Sequence, residues 1–214
     1  MFGFSRGAAS ARSLTNLIAW MGGISAPSNA YYIPRFVDGY LAGATREEVA
    51  QELWPEKLIG RVDALLEERF KTRPDFAANK DEYTVLATKE VTSDLAGIVP
   101  ATVRFLGVWD TVLTLGRKRN RRHLGDRPSA LVEHARQALA LDEKRSDFRP
   151  HVWKGPAHSG QTLEQRWFAG VHSNVGGSYV DDGLANEALK WMLREARDVG
   201  LDLDMGLSSS LPRS

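Results

Sequence analysis

The chain has 214 residues, enough for one domain with a substantial hydrophobic core. Its formal net charge of +1 gives no reason to expect nucleic acid as a partner. It contains no cysteine, which excludes disulfides, thiolate catalysis and cysteine metal sites. No apolar run reaches the roughly 18 residues of a membrane-spanning helix, and the sequence shows no signal peptide. We therefore expect a cytoplasmic protein in the cell that makes it.

The first motif is G-x-S-x-G, formed by Gly3, Phe4, Ser5, Arg6 and Gly7. This pattern is typical of a serine on a sharp strand-to-helix turn, where the hydroxyl stands clear of the backbone and a base can take its proton. We interpret the two glycines as positions where the tight turn leaves no room for a side chain. The pattern also occurs by chance in Gly/Ser-rich turns, so by itself it does not identify a nucleophile.

The spacing of apolar side chains predicts a helix over residues 9–21. The N-terminus of this helix would place free backbone N–H groups and a partial positive charge beside Ser5. An oxyanion that forms there needs hydrogen-bond donors, and the backbone N–H of Arg6 is the predicted donor.

The next part of the chain reads as mostly helical, and residues 25–75 are predicted to form a cap-like region. A short aromatic helix is expected over residues 31–41, and Thr45 with Glu48 has the spacing of a capping box. Residues 57–70 carry an amphipathic stripe. Core packing explains this stripe as well as a cap over an active site does.

Three strands are predicted further along the chain. A short one covers residues 83–87, and the clearest covers residues 103–109, which are nearly all apolar and rich in β-branched and aromatic side chains. This strand would deliver Asp110 to the carboxyl edge of an α/β sheet, where ligands bind. The third strand covers residues 166–171 and ends in His172.

Two further amphipathic helices are predicted, over residues 129–141 and residues 184–199. His134 falls within the first of them, and we expect it to have a structural role. The apolar stripe of the second helix is closed by Gly200, a typical helix-terminating residue.

Residues 117–123 form a basic run, which reads either as a solvated loop or as a contact for a phosphate or lipid head group. His151 and His158 lie in a Pro/Gly-containing segment without a partner at metal-ligand spacing, so we expect both at the surface. The sequence therefore predicts neither a metal nor a cofactor.

Ser5, Asp110 and His172 follow one another in the chain order of α/β hydrolases. In such an arrangement His172 would take the proton of Ser5, and Asp110 would fix the imidazole tautomer. Each residue alone has an ordinary structural explanation, such as a turn cap for Asp110. The three in this order favour a serine hydrolase.

Several linked segments resemble the catalytic domain of type VI secretion lipase effectors. These segments are GFSRGA, FLGVWDTV, HARQALALDEKR followed by FRPHVW, and WFAGVHSNVGGSYVDDGL with its ALKWM helix. The resemblance extends to about residue 204. It implies an α/β-hydrolase sheet and phospholipase A activity, with catalytic roles for Ser5, Asp110 and His172 in the matching motifs.

The chain departs from this family at several positions. The family usually opens with a strand and a Cys-Asp-Gly-Thr-Trp-like loop, and neither precedes the serine motif here. We therefore expect an N-terminally truncated chain that lacks the upstream strands and the second oxyanion donor. Asn174 stands where aspartate is frequent, and Ser178 stands where glycine is common.

The overall prediction is one α/β-hydrolase-like domain over residues 1–204, with a mostly parallel sheet flanked by helices and a flexible tail at 205–214. The predicted activity is that of a serine lipase or esterase that cleaves glycerophospholipid esters through an acyl-serine intermediate. Expected partners are a phospholipid or other ester, a transiently contacted membrane surface and, for an effector delivered to another cell's periplasm, a secretion-spike protein. Two alternatives stay open: a cytosolic esterase of small esters, and a non-catalytic remnant or binding fragment.

Overall fold

The computed structural model describes residues 1–113 and 124–202. The chain divides into two compact units, one formed by Met1–Asn16 with Thr102–Ser214 and the other by Leu17–Ala101. None of the helices seen in the described ranges combines the length and the apolarity that a bilayer crossing requires.

Two segments singled out in the sequence, the basic run at 117–123 and the tail at 205–214, lie outside the described residues. The single domain over residues 1–204 and the cap-like role of residues 25–75 stay predictions.

The chain contains both helices and strands, and four α-helices follow one another between the second and third strands. The strands are β1 (Phe2–Phe4), β2 (Ile24–Ser25), β3 (Ile98–Val99), β4 (Val103–Trp109), β5 (Val132–Ala140) and β6 (Thr162–Phe168). The α-helices are α1 (Arg6–Met21), α2 (Ile33–Ala42), α3 (Arg46–Leu53), α4 (Pro55–Leu65), α5 (Lys80–Leu95), α6 (His172–Gly176) and α7 (Gly183–Asp198). Shorter helical turns cover Pro27–Tyr32, Leu66–Phe70 and Ser146–Phe148.

A parallel sheet with the strand order β1-β4-β5-β6 forms the centre of the first unit. In its register Phe4 lies opposite Trp109, which in turn lies opposite Ala138. The carboxyl ends of β1 and β4 therefore meet at one edge of the sheet, and the residues that follow them are Ser5 and Asp110. This parallel sheet confirms the predicted α/β class.

Both faces of this sheet are covered by helices, as expected for parallel strands. Side chains of β4 and β5 alternate between the faces, so that α1 packs on one face and α7 on the other. The buried side chains on the α1 face are Ala8, Ala11, Leu106, Val108, Val132, Ala135 and Trp153. Those on the α7 face are Phe105, Ala138, Ala140, Val175, Ala188, Trp191, Met192 and Ala196.

The helix predicted over residues 129–141 is wrong, because this segment contains the central strand β5. Its alanines and leucines favour a helix locally, but the strand lies between β4 and β6 and is buried on both faces. Two polar residues of this strand have partners on opposite faces of the sheet. Arg136 binds Glu195 of α7 at 2.6 Å, and Gln137 lies next to Arg12 of α1.

The strand predicted over residues 83–87 is also wrong, since these residues lie within α5. Tyr83, Ala87 and Val91 are its buried positions, and their spacing of four residues is helical. Two threonines of this helix donate hydrogen bonds to carbonyls one turn earlier, Thr84 to Lys80 at 2.8 Å and Thr88 to Thr84 at 2.7 Å.

The other predicted elements agree with the structure to within a few residues. The strand over residues 103–109 coincides with β4, and the strand over residues 166–171 overlaps the end of β6. The helices over residues 9–21, 31–41, 57–70 and 184–199 correspond to α1, α2, α4 with the following π-helical turn, and α7.

The second unit has a hydrophobic core of its own, to which α2, α3, α4 and α5 contribute. The predicted capping box at the start of α3 is confirmed: Thr45 Oγ1 accepts from the N–H of Glu48 at 3.2 Å, and Glu48 Oε2 accepts from the N–H of Thr45 at 2.6 Å. The core comprises Met21, Phe36, Val49, Ala50, Trp54, Leu58, Val62, Leu66, Phe70, Tyr83, Ala87, Val91 and Ala96.

Of the two glycines around Ser5, only Gly3 occupies a position where the structure leaves no room for a side chain. A Cβ atom on Gly3 would overlap the carbonyl of Gly7 and the backbone nitrogen of Ala8, so only glycine lets α1 start this close to β1. A Cβ atom on Gly7 would meet no other group within 4 Å among the described residues. The expectation that the turn excludes side chains at both positions is therefore wrong for Gly7, which lies exposed in the first turn of α1.

We expect opposite effects from alanine at these two glycines. Gly3→Ala should lower the free energy of unfolding by about 1–3 kcal/mol because backbone atoms must move apart. Gly7→Ala should leave it unchanged or raise it by up to about 1 kcal/mol, since alanine favours a helix. Urea unfolding of both variants measures the difference, and equal destabilisation would contradict this account of the turn.

Candidate active site

Ser5 lies at the turn between β1 and α1 and has a left-handed backbone, with φ of 57°. Its N–H donates to the carbonyl of Trp109 at 3.0 Å, and its own carbonyl accepts from Ala9 at 3.3 Å as α1 begins. This conformation is uncommon for a residue with a side chain. It turns the hydroxyl group away from the strand and toward His172.

Asp110 follows β4 directly and is fully buried. Its backbone is also left-handed, with φ of 43°, and its N–H donates to the carbonyl of Ala138 at 2.8 Å. Both carboxylate oxygens have partners: Oδ1 accepts from the N–H of Ala140 at 3.0 Å, and Oδ2 lies 2.6 Å from Nδ1 of His172. The carboxylate is thus buried with hydrogen bonds in place of water.

His172 does not end a strand directly, as the sequence suggested, but is the first residue of α6, four residues beyond the end of β6. It is 4% exposed. Its Nε2 lies 2.9 Å from Oγ of Ser5, while Nδ1 faces Asp110. Because a carboxylate only accepts hydrogen bonds, Nδ1 carries the proton of the neutral ring, and Nε2 is left to accept from the hydroxyl.

The structure therefore brings together the three residues that the sequence analysis selected as catalytic candidates. A hydroxyl within hydrogen-bonding distance of a base, itself held by a third group, is an arrangement suited to nucleophilic chemistry. Arg6, the candidate oxyanion donor, is the first residue of α1. Its N–H has no carbonyl one helical turn earlier to bind and lies next to Ser5 in the chain.

Two aromatic rings contact the imidazole of His172. The ring of Phe4 lies 4.6 Å from it, centroid to centroid, and that of Phe148 lies 4.9 Å away in a T-shaped arrangement. Phe4 also packs directly on the backbone of Gly176, where a Cβ atom would overlap its ring. The absence of a side chain at Gly176 therefore allows β1 to place an aromatic ring against His172.

A carboxylate also contacts the backbone of His172. Glu143 Oε2 accepts from the N–H of His172 at 3.3 Å, and the Glu143 side chain is only 2% exposed. Arg145 donates to both oxygens of this carboxylate, from Nε at 2.9 Å and from Nη2 at 2.7 Å. The hydrogen bond from Arg145 lowers the pKa of Glu143 to about 2, so Glu143 is ionised at neutral pH.

A buried polar network reaches Thr111, the residue that follows Asp110. Arg12, 1% exposed, donates to the carbonyl of His151 at 2.6 Å, and its guanidinium lies over the ring of Trp153 at 4.4 Å. Gln137 Oε1 accepts from the hydroxyl of Thr111 at 2.7 Å. Burial lowers the pKa of Arg12 to about 9, which leaves it charged at neutral pH. This network ties the residue after Asp110 to β5.

Three other histidines of the described residues, His134, His151 and His158, lie apart from this site. His134 is on β5, where Nδ1 lies 2.9 Å from the hydroxyl of Thr162, so it is on a strand and not on the predicted helix. His151 and His158 are partly buried and not fully at the surface. Burial lowers the pKa of His151, and the charge of Arg12 adds to this effect.

Within residues 1–113 and 124–202, no group of three or more acidic or histidine side chains is placed to hold a metal ion. A cavity of about 420 Å³ lies beside β1 and the start of α7, and its lining includes Phe2, Phe4, Trp109 and Leu189. The Ser5, Asp110 and His172 side chains do not line this cavity, although Phe4 contacts both the cavity and His172.

Sequence reasoning missed the residues that surround the imidazole. Glu143 and Arg145 belong to a charged turn whose composition resembles any solvated loop. Phe148 gives no signal because its contact depends on the return of the chain through β6. Phe4 occupies a variable position of the G-x-S-x-G motif, and Glu143, Arg145 and Phe148 lie in segments that resemble the family but to which no role was assigned.

Among known proteins, an uncharacterized protein of Saccharomyces cerevisiae (strain ATCC 204508 / S288c), YEL023C, is 27% identical to this chain over 149 residues. The aligned part covers 70% of this chain but 17% of the yeast protein, so the chain spans about a sixth of that relative's length. No solved structure matches the chain.

A family model with the description "T6SS, Phospholipase effector Tle1-like, catalytic domain" matches residues 1–195. The matched range contains Ser5, Asp110 and His172, and it covers most of the chain. The chain therefore belongs to the family of Tle1-like type VI secretion phospholipase effector catalytic domains.

Proposed function

We propose that this chain is a serine ester hydrolase in which Ser5 is the nucleophile, His172 the general base and Asp110 the group that orients the base. The observation that carries the proposal is the continuous hydrogen-bonded chain from Ser5 Oγ through the imidazole to Asp110, with distances of 2.9 Å and 2.6 Å. These distances lie within the range that a nucleophile, a base and an orienting group require.

In the first step the Ser5 hydroxyl gives its proton to Nε2 of His172, while Oγ attacks the carbonyl carbon of the ester. The imidazolium that forms is stabilised by the carboxylate of Asp110. The negative charge on the carbonyl oxygen falls near the start of α1. In this proposal the N–H of Arg6 donates to it, and such a donor contributes roughly 3 kcal/mol.

In the second step the tetrahedral intermediate collapses, and Nε2 of His172 returns its proton to the leaving alcohol. This leaves an acyl group on Ser5. Water then loses a proton to the same nitrogen and attacks the acyl carbon, which releases a carboxylic acid and restores the hydroxyl.

The proposed substrate is a glycerophospholipid, and the proposed bond is one of its carboxylic esters. Membership of a phospholipase effector family supports a lipid substrate. The family description also supports delivery by a type VI secretion system. We extend this to action at the membrane of another cell and to association with a secretion-spike protein, with the chain cytoplasmic in the cell that produces it.

Loss of the Ser5 hydroxyl should abolish covalent labelling by a fluorophosphonate, because the probe reacts with an activated serine. We expect Ser5→Ala to lower ester turnover by about 10⁴-fold or more, in the range seen when a triad nucleophile is removed. Intact-protein mass spectrometry measures the labelling. Ser10→Ala is the matched control, since Ser10 is an exposed serine of α1, five residues after Ser5. Labelling that survives Ser5→Ala would remove the catalytic claim.

Asp110→Asn should keep the shape of the site but leave the imidazole without a carboxylate, which favours the wrong tautomer. We expect kcat to fall by about 10⁴-fold with little change in KM. Asp198→Asn, an exposed aspartate paired with Arg197 at the end of α7, serves as the control and should retain full activity. A decrease of less than about tenfold for Asp110→Asn would argue against the orienting role.

Phospholipid vesicles should be hydrolysed faster than a short-chain nitrophenyl ester, if the natural substrate is a membrane lipid. Release of fatty acid from phosphatidylethanolamine and phosphatidylglycerol vesicles gives the first rate, and absorbance gives the second. Ser5→Ala provides the background for both. Turnover restricted to the short ester would favour a cytosolic small-ester esterase, and no Ser5-dependent turnover of either would favour a non-catalytic binding fragment.

A further inference from the structure

The segment after β5 contacts His172 at two separate places. Glu143 accepts from the backbone N–H of His172 at 3.3 Å, and the ring of Phe148 meets the edge of the imidazole with centroids 4.9 Å apart. One contact holds the backbone and the other holds the ring. A side chain with both ends held in this way has little rotational freedom.

Arg145 connects these two contacts. Its guanidinium binds both oxygens of Glu143, and its central carbon lies 3.9 Å from the centre of the Phe148 ring. The arrangement combines a bidentate charge pair with a cation–π contact, and each depends on the planar guanidinium of arginine. The three side chains therefore form one connected group next to His172.

We propose that Glu143, Arg145 and Phe148 act as a positioning clamp that fixes both the backbone and the ring of His172. The inference deepens the proposed function, because it concerns the general base of the same site. None of the three side chains contacts Ser5 or Asp110 in the hydrogen bonds and ring contacts of the described residues, so the clamp acts through His172.

Phe148 and Phe4 hold the imidazole from two sides. Phe4 lies at 4.6 Å with an interplanar angle of 33°, and Phe148 at 4.9 Å with an angle of 65°. Together with the hydrogen bond from Nδ1 to Asp110, they limit rotation of the ring and keep Nε2 directed at Ser5. Small displacements of a catalytic group cost large factors in rate.

The charge pair within the clamp has an electrostatic consequence. Among the described residues, the charged groups that face His172 are Asp110 from the end of β4, and Glu143 with Arg145 from the segment after β5. Tyr179, after α6, interacts with Arg145. Glu143 alone would favour the imidazolium, and Arg145 alone would oppose it. In the pair the two opposite charges offset each other, so that removal of either side chain leaves the other charge uncompensated.

The first test measures the rate of fluorophosphonate labelling of Ser5 as a function of pH in Glu143→Gln and Arg145→Met. We expect labelling at neutral pH to slow by about tenfold in each. The acidic limb of the profile should move to lower pH in Glu143→Gln, which leaves the guanidinium unpaired. It should move to higher pH in Arg145→Met, which leaves the carboxylate unpaired, each by about half a pH unit or more.

The matched controls are Glu164→Gln and Arg166→Met. These residues form an exposed ion pair at 3.0 Å on β6 with the same two-residue spacing, and they should leave both rate and profile unchanged. Shifts of the same sign in the two clamp variants, or shifts no larger than those of the controls, would overturn the proposal. If Arg145→Met does not fold, Arg145→Lys replaces it, and we expect slower labelling with no shift of the limb.

The second test needs no enzymatic activity. The proton on Nδ1 of His172, held by Asp110, should give a low-field proton NMR resonance in the wild type. We expect this resonance to broaden or disappear in Phe148→Leu and to persist in Phe148→Tyr, which keeps the ring. An unchanged resonance in Phe148→Leu would overturn the clamp. If the wild type fails to label but shows this pattern, the proposed function fails and the clamp stands.

Discussion

A hydrogen bond between the imidazole of His172 and the carboxylate of Asp110 joins residues that are 62 positions apart in the chain. It requires that the chain return to the same edge of the sheet after β5 and β6, and a parallel sheet does this because all its strands end at one edge. Ser5 lies at the same edge because it follows β1, which is close to the N-terminus and pairs in parallel with β4. Parallel register is thus the condition on which the whole site depends.

The two turns at this edge also stabilise each other. Ser5 and Asp110 are the non-glycine residues with positive φ among those described, and each such conformation costs about 1–3 kcal/mol. The N–H of Ser5 donates to the carbonyl of Trp109, and the carbonyl of Ser5 accepts from Val112 at 3.4 Å. Hydrogen bonds from one turn to the other therefore offset part of the strain, and they fix the hydroxyl relative to the carboxylate.

Much of this arrangement could be predicted from the sequence because its signals are local. The spacing of Gly3 and Ser5 predicts a tight turn. In the structure, neighbouring backbone atoms leave no room for a side chain at Gly3. The run of apolar residues before Asp110 identifies a buried strand without knowledge of its neighbours. The capping box at Thr45 is equally local, since both of its hydrogen bonds lie within four residues.

The strand β5 could not be predicted in this way, because its residues favour a helix until the rest of the sheet is present. Arg136 and Gln137 look like one polar side of a helix, yet they point to opposite faces of the sheet, where Glu195 and Arg12 bind them. The clamp around His172 escaped notice for the same reason. In the sequence, Glu143 looks like an ordinary solvent-exposed charge. In the structure, its buried carboxylate accepts a hydrogen bond from the N–H of His172, which comes from α6. Polar residues whose partners come from distant elements therefore set the limit of local sequence reasoning in this fold.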